Sequence, residues 1–398
     1  MKSLDIAICG CGPAGLAAAL LLVRAGHRVR MFERFETPRP VGSGLILQPT
    51  GLGVLEELGL GAEMAALGAR IDRLFGRVRP ANRVVLDVRY EKLGHGRHGV
   101  AVQRSALFGV LYGAVQADGV EITPGIEVAG IEQGGSRPQL LARSGVRLGS
   151  FDLVVDALGA RSPLSAARAR RIVLPYGALW ANVPWPANGT FSPNALEQRY
   201  FRASRMAGIL PVGRADAGSP PAAAFFWSLR RDRFESWRNT SIPDWKREVA
   251  ELWPEAAVAI ENIVDHPQLI FATYEHFTLR SPLEGRLVHI GDAAHSTSPQ
   301  LGQGGNMALL DALALGRAMA VEGEISQRLR EYARMRSWHV RLFQAASAMF
   351  TPFYQSDSRV LPAVRDWLAA PLSRLPIGSA LLARLVAGMT VPPLGRSR

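Results

Sequence analysis

Cysteine is nearly absent. The 398-residue chain has two, Cys9 and Cys11. Two residues apart on a strand, they would sit side by side on one face, so a disulfide framework is excluded and a reducing, cytosolic compartment is expected. A metal centre would need more ligands close by, and the sequence offers none. Long apolar runs are also missing. No stretch reaches the roughly 20 residues a spanning helix needs. The nearest, AICGCGPAGLAAALLL from Ala7, follows Asp5, is punctuated by glycine and precedes no small-residue cleavage site, so it does not read as a signal peptide. Acidic residues are in deficit, 34 against 46 Lys and Arg, for a net charge of +12. The arginines are scattered among apolar residues, with no basic run and no zinc-finger or RNP-like motif. Nucleic acid is therefore not an expected partner, and some arginines are expected to meet phosphate groups.

What is present is a globular balance, 48% hydrophobic and 20% charged, with ample material for a core. LDIAICG reads as a strand, CGPAGLAAALLLVRAGHRV as a helix, and HRVRMFER as a second strand. The turn between the first two is Gly10-Cys11-Gly12-Pro13-Ala14-Gly15. In such a G-x-G-x-x-G, the first glycine permits the turn, the second lets a pyrophosphate approach the backbone, and the third packs helix on strand. The helix N-terminus offers free N–H groups to the phosphates. Glu33, with Arg34 beside it, ends the second strand, where a carboxylate accepts hydrogen bonds from an adenosine ribose and disfavours a 2′-phosphate. The bound nucleotide is expected to be FAD or NAD.

A second unit lies about 280 residues downstream, GRLVHIGDAAHSTSPQLGQGGNMALLDALALGRAM, again strand, glycine-bearing loop and helix. Asp292 suits a sugar-like chain, and the helix start near Asn306 suits negative charge. Gly291, Asp292, Ala293, Ala294, His295, Pro299, Gly302, Gln303, Gly304 and Asn306 match a G-D-A-A-H-x-x-x-P-x-x-G-Q-G-x-N motif. The chain thereby resembles the class A flavoprotein monooxygenases, the para-hydroxybenzoate-hydroxylase-like group that includes ubiquinone-pathway hydroxylases. The resemblance spans most of residues 1–345.

It implies an α/β fold: a Rossmann-like FAD-binding domain, an inserted antiparallel β-sheet substrate domain and C-terminal helices. The implied division gives 1–72, 101–170 and 282–345 to FAD, 73–100 and 171–281 to substrate, and 346–398 to a C-terminal helical segment. It also implies that Asp292 holds the ribityl chain and that the loop from Pro299 through Gly305 to Asn306 lies against the isoalloxazine. AVQRSALFGVL places Arg104 at the ribityl or phosphate region, and VGSGLILQPTGLGVLEELGL places Gly44 near ribose and flavin and Gln48 near the ring. The implied reaction uses NAD(P)H and O2 to insert one oxygen atom, most of all by hydroxylation, into an aromatic or quinone-like small molecule through a flavin C4a-hydroperoxide. His295 is expected to be structural. One departure stands out: in DLVVDALGARSPL, Leu158 occupies the position of a family Asp tied to pyrophosphate and NAD(P)H handling.

Between the two motifs, ALWANVPWP, LEQRYFRASRMAGILPVG, AAAFFWSLR and NRVVLDVRY read as aromatic strands separated by Pro/Gly turns. Their inward candidates are Trp180, Tyr200, Phe226 and Trp227, either as substrate contacts or as ordinary sheet core. A base is unassigned, with Tyr200, His95 and His98 as candidates. The tail from about residue 350 to 391 is apolar with Arg on one side and Pro breaks. It reads either as helices packed on the FAD domain or as an interfacial surface for peripheral membrane contact. A halogenase is disfavoured because LWANVPWP lacks W-x-W-x-I-P spacing. A flavin-dependent double-bond reductase, and a non-enzymatic nucleotide- or membrane-binding protein, remain alternatives. Oligomeric state is open.

Overall fold

The computed structural model describes residues 2–40, 42–94, 96–135, 137–165, 171–186, 189–373 and 375–395. Strand Asp5–Cys9 is buried on both faces from Ile6 onward, as is Leu153–Asp156, the pattern of a covered parallel sheet. Both belong to a six-stranded sheet. Its order is Leu283–Glu284, Leu287–His289, Leu153–Asp156, Asp5–Cys9, Arg28–Phe32 and Glu121–Thr123. All its pairs are parallel except the short Leu283–Glu284 edge.

Ile6 and Ile8 pack against helices Pro13–Arg24, Arg104–Ala117 and Gly304–Met319. Ala7 and Cys9 face the other way, onto a three-stranded sheet through Val128 and Leu140. The expectation that Cys9 and Cys11 share a face is corrected here. Gly10, at φ 101°, ends the strand period between them, so Cys9 joins the small-sheet core and Cys11 the helical core. Both thiols are free, and burial pushes that of Cys11 up to about 12.

The second layer is an eight-stranded sheet in the order His295–Ser296, Ile270–Thr278, Ile172–Pro184, Ala222–Arg230, Arg205–Gly213, Ala195–Phe201, Arg73–Val78 and Arg83–Arg89. It is antiparallel apart from the parallel pair Ala195–Phe201 with Arg73–Val78. Side chains alternate along each strand. Leu179, Ile209, Phe225 and Trp227 point to helix Ile242–Leu252, where they meet Trp245 and Val249. Trp180, Met206, Leu210 and Phe226 point to the opposite face. Trp227 is thus corrected from inward candidate to outer core, because it follows Phe226 directly and a strand turns consecutive side chains apart.

Helix Ile325–Tyr354 runs unbroken across residue 345, so the expected boundary there falls inside a helix. The chain then turns through Val360–Val364, the π-turn Arg365–Ala369, Ala370–Ser373 and helix Pro376–Val386. The last three of these pieces pack against Arg83–Arg89 and cover that sheet edge. Among the described residues no helix is long and apolar enough to cross a membrane.

A candidate cofactor and substrate cavity

The first glycine bend is shaped by two close approaches. A Cβ on Gly15 would lie 2.1 Å from the Gly10 carbonyl oxygen, and one on Gly10 would lie 2.7 Å from that of Ala157. Neither position tolerates a side chain. Gly12 differs, because nothing stands within 4 Å of its Cβ position. It caps helix Pro13–Arg24 without any side-chain hydrogen bond, so the first N–H groups of that helix lack a side-chain acceptor. Gly12, Pro13 and Ala14 line a cavity, while Gly10 and Gly15 lie behind them.

Glu33 is buried beside this bend and accepts the N–H groups of Cys11 at 2.8 Å and Phe35 at 3.1 Å. Its carboxylate holds the turn and does not line the cavity. Arg34 is exposed, lies over the Phe35 ring at 4.7 Å and is also off the cavity.

The second bend reaches the same cavity, through Asp292, Pro299, Gly302, Gly304 and Gly305. Asp292 is open to the cavity, and the surrounding protein raises its pKa by desolvation, against the charges of His295 and Arg104. Arg104 and Gly44 line the wall between the two bends. Asn306 does not line it. Its side chain accepts the Gln48 N–H at 2.7 Å and donates to the carbonyls of Ile46 and Gly302, both at 3.0 Å. These three bonds tie strand Gly44–Leu47 to the loop and use up the amide, which makes Asn306 a positioning residue.

Behind the bend, Asp311 accepts from the Gly291 N–H at 2.8 Å, meets His295 Nε2 at 2.6 Å and accepts from Arg336 Nε at 2.6 Å. Burial alone would raise its pKa, but His295 and Arg336 hold it well below the usual carboxylate range. Arg336 also donates to the Pro393 carbonyl and so clasps the end of the chain.

The cavity measures about 720 Å³. Its far wall is the inner face of the large sheet, and Gln48, Trp180, Tyr200 and Phe226 all line it. The Trp180 and Phe226 rings lie 4.7 Å apart. Gln48 accepts from the Tyr90 hydroxyl at 2.6 Å, which leaves its buried Nε2 without a protein partner. Gln300 Nε2, on the loop opposite, is another buried donor without one.

Tyr200 donates to Gln198 at 2.9 Å, and burial drives its pKa well up, so it stays a phenol and does not serve as a base near neutral pH. His98 is half-buried, contacts the Gly96 carbonyl and is off the cavity. His95 lies outside the described residues.

Tyr274, Tyr354, Leu382 and Val386 are among the cavity residues that escaped the sequence reading. Tyr274 accepts the Trp180 indole N–H at 2.8 Å, and burial pushes its pKa up to about 12 against the Trp180 bond and the Arg104 charge. It lies on a strand, FATYEHFT, that carries no motif. Tyr354, Leu382 and Val386 come from the C-terminal helices. Tyr354 closes on Tyr200 with ring centroids 5.5 Å apart; only the apolar character of the tail hinted at these three.

At the departure from the family motif, the loop wall is still held by a carboxylate. Asp156, fully buried, accepts from the Leu158 N–H at 3.1 Å and the Ser162 hydroxyl at 2.6 Å and meets His289 Nδ1 at 2.7 Å. Gly159, Ala160 and Arg161, in the loop so fixed, line the cavity.

The family model described as FAD binding domain matches residues 3–345. The chain belongs to that family. A relative, the aurachin C monooxygenase/isomerase of Stigmatella aurantiaca, is 26% identical over 98% of this chain and 99% of its own length. A putative 2-heptyl-3-hydroxy-4(1H)-quinolone synthase of Rhodococcus erythropolis is 27% identical over 82% of each chain. The fold is shared with 2-methyl-3-hydroxypyridine-5-carboxylic acid oxygenase, at TM-score 0.77 and 22% identity over 96% of this chain and 97% of that one. It is also shared with Klebsiella pneumoniae HpxO complexed with FAD and uric acid, at TM-score 0.77 and 20% identity over 96% and 97%.

The cofactor of the family is FAD, and the residues present fit it. An uncapped helix start stands beside a glycine with empty space at its Cβ, Asp292 opens into the cavity, and two buried amide donors there lack protein partners.

Proposed function

We propose that this chain is an FAD-dependent monooxygenase that uses NAD(P)H and O2 to hydroxylate an aromatic small molecule bearing an apolar extension. One observation carries the reading. A single cavity joins the glycine bends and Asp292 to the rings of Trp180, Phe226 and Tyr274, and then to an apolar end formed by Leu74, Leu86, Leu196, Leu382 and Val386. The first part suits a dinucleotide, the second a flat ring and the third an aliphatic tail. The relative named for a 2-heptyl quinolone matches that outline of ring and chain.

FAD, when bound, supplies the electron transfer from NAD(P)H and the activation of O2. The first helix start and Gly12 would hold its pyrophosphate, Asp292 its ribityl hydroxyls, and the Pro299–Leu301 turn with Gly302, Gly304 and Gly305 its ring system. The chain's own part is to orient the substrate and exclude water. Trp180 and Phe226 present ring faces to the guest. Tyr274 accepts from Trp180 and keeps its own proton, since its pKa is pushed up to about 12, so its O–H can donate a hydrogen bond to a substrate oxygen. The apolar end expels water when a tail fills it.

The test uses purified holoenzyme with phenols, and with quinolones that carry or lack an alkyl chain. The expected result is substrate-accelerated NAD(P)H oxidation matched by O2 uptake, with labelled oxygen from O2 in the product and the lowest KM for the alkylated ring. Oxidation of NAD(P)H by substrate without O2 uptake would assign the reductase chemistry instead.

A further inference from the structure

The segment after the long helix turns its greasy side to water. Along 360–373 the exposed positions are Val360, Ala363, Val364, Trp367, Leu368, Ala369, Pro371 and Leu372, all without charge or hydrogen-bonding side-chain groups except the Trp367 indole. Apart from Ala369, their spacing, i, i+3, i+4, i+7, i+8, i+11 and i+12, is that of a helix stripe. An amphipathic helix normally aims this stripe at the core. Here the buried face instead holds Pro362, Arg365 and Ala370. Arg365 donates to the backbone carbonyls of Phe353 and Arg202 and anchors the segment from beneath. Helix Pro376–Val386 repeats the arrangement. Ile377 is 85% exposed and Leu381 57%, while Ala383 and Val386 are buried. Eight of the sixteen large exposed apolar side chains among the described residues fall in 360–381. That density marks an interaction surface.

Charge identifies the occupant. Between residues 358 and 395 the sole acidic residue is Asp366, and Arg365 Nε donates to it at 2.7 Å. Arg359 and Arg384 are exposed at the flanks, and the Arg83 guanidinium lies over the Trp367 ring at 3.6 Å. Aromatic and aliphatic side chains rimmed by arginine form the pattern that settles into an anionic lipid headgroup layer. A second copy of the chain suits it less, because a two-fold contact would bring the same arginine rims together. The stripe also adjoins the cavity: helix Pro376–Val386 presents Ile377 and Leu381 to solvent and Leu382 and Val386 to the cavity wall.

We infer that residues 360–381 dock this enzyme on the surface of an anionic phospholipid membrane. The inference stands apart from the reaction proposed above, since docking is read without turnover.

The experiment is flotation of the holoenzyme with vesicles of phosphatidylcholine containing phosphatidylglycerol, and with vesicles of phosphatidylcholine alone. The native protein floats with the anionic vesicles and much less with the neutral ones. The triple variant Trp367→Gln, Leu372→Gln, Ile377→Gln keeps its flavin and its melting temperature, because all three side chains are exposed, and loses at least about tenfold in partitioning. Native protein that stays in the soluble fraction with anionic vesicles overturns the inference. So does a variant that floats as well as the native chain. A dimer in sedimentation that the triple variant converts to monomer also overturns it, assigning the stripe to a second copy.

Discussion

Phe226 and Trp227 are neighbours in the chain and belong to different halves of the molecule. The outer face of the large sheet, with Trp227, Phe225 and Ile209, is sealed by helix Ile242–Leu252 and its Trp245. The inner face, with Trp180, Met206 and Phe226, looks into a cavity that holds no helix against it at that point. Both faces are aromatic and both come from the same strands. One is filled by protein and the other is kept for a ligand. The difference teaches that apolar character marks burial without saying what does the burying.

Substitutions should separate the two faces by what they cost. The largest effect belongs to the sealed face. Trp245 is fully buried and meets Phe225 and Trp237 edge to face. Trp245→Ala should lower stability by about 3–5 kcal/mol in denaturant or thermal unfolding. A loss under about 1 kcal/mol would mean that this core is not close-packed, and the contrast would fail.

On the ligand side, Gly12→Val should weaken FAD binding about a hundredfold with little change in apoprotein stability, because its Cβ enters empty space. Flavin absorbance after gel filtration reads this directly, and full retention of flavin would displace the pyrophosphate from that bend.

Acid should reach neither face first, but the clamp on the tail, where His339, buried on helix Ile325–Tyr354, meets the Gly388 carbonyl through Nε2 at 3.0 Å. Burial, reinforced by the charge of Arg336, lowers the pKa of His339 from 6.5 to about 3. The unfolded chain therefore takes up a proton that the folded one refuses between those two values. Stability from this group is complete above about pH 6.5 and falls by about 1.4 kcal/mol per pH unit on acidification toward 3. Asp311 adds a further loss once the pH falls below about 3.8, the ordinary carboxylate value, as protons displace its partners. Melting curves of native protein and His339→Gln should differ in slope over that window and converge near neutrality.

The smallest effect sharpens the comparison most. Trp180→Ala, on the open face, should raise KM for an aromatic substrate about tenfold while costing under about 1 kcal/mol of stability. A KM that does not move would make Trp180 sheet core like Trp227.

The parts legible in the sequence are those where geometry permits one residue type. Gly10 and Gly15 sit where any Cβ would collide with backbone, so the bend wrote itself into the chain as glycine. Of the loop glycines, Gly302 holds φ 62°, which favours glycine, whereas Gly304, Gly305 and Asp292 were readable through the family motif, since a Cβ on either glycine would meet nothing closer than 3.5 Å. The aromatic strands were readable as strands, but their facing needed the register, and one residue of phase separates Phe226 from Trp227. Asn306 was legible as important and not as a tie between Gln48 and Ile46, because a hydrogen bond across 260 positions leaves no local pattern. Tyr274 was invisible for want of any periodic or glycine signal around it. Leu158 signalled a lost carboxylate. Only the folded chain brings Asp156 to the same loop, through the Leu158 N–H and the Ser162 hydroxyl.

The clasp between Arg336 and Pro393 and the walls given by Tyr354, Leu382 and Val386 have a consequence for how this protein is made. The glycine bend at 10–15 leaves the ribosome long before Leu382 and Val386, which finish the pocket it serves. Flavin capture should therefore wait for helix Pro376–Val386, and nascent chains arrested before residue 376 should emerge colourless.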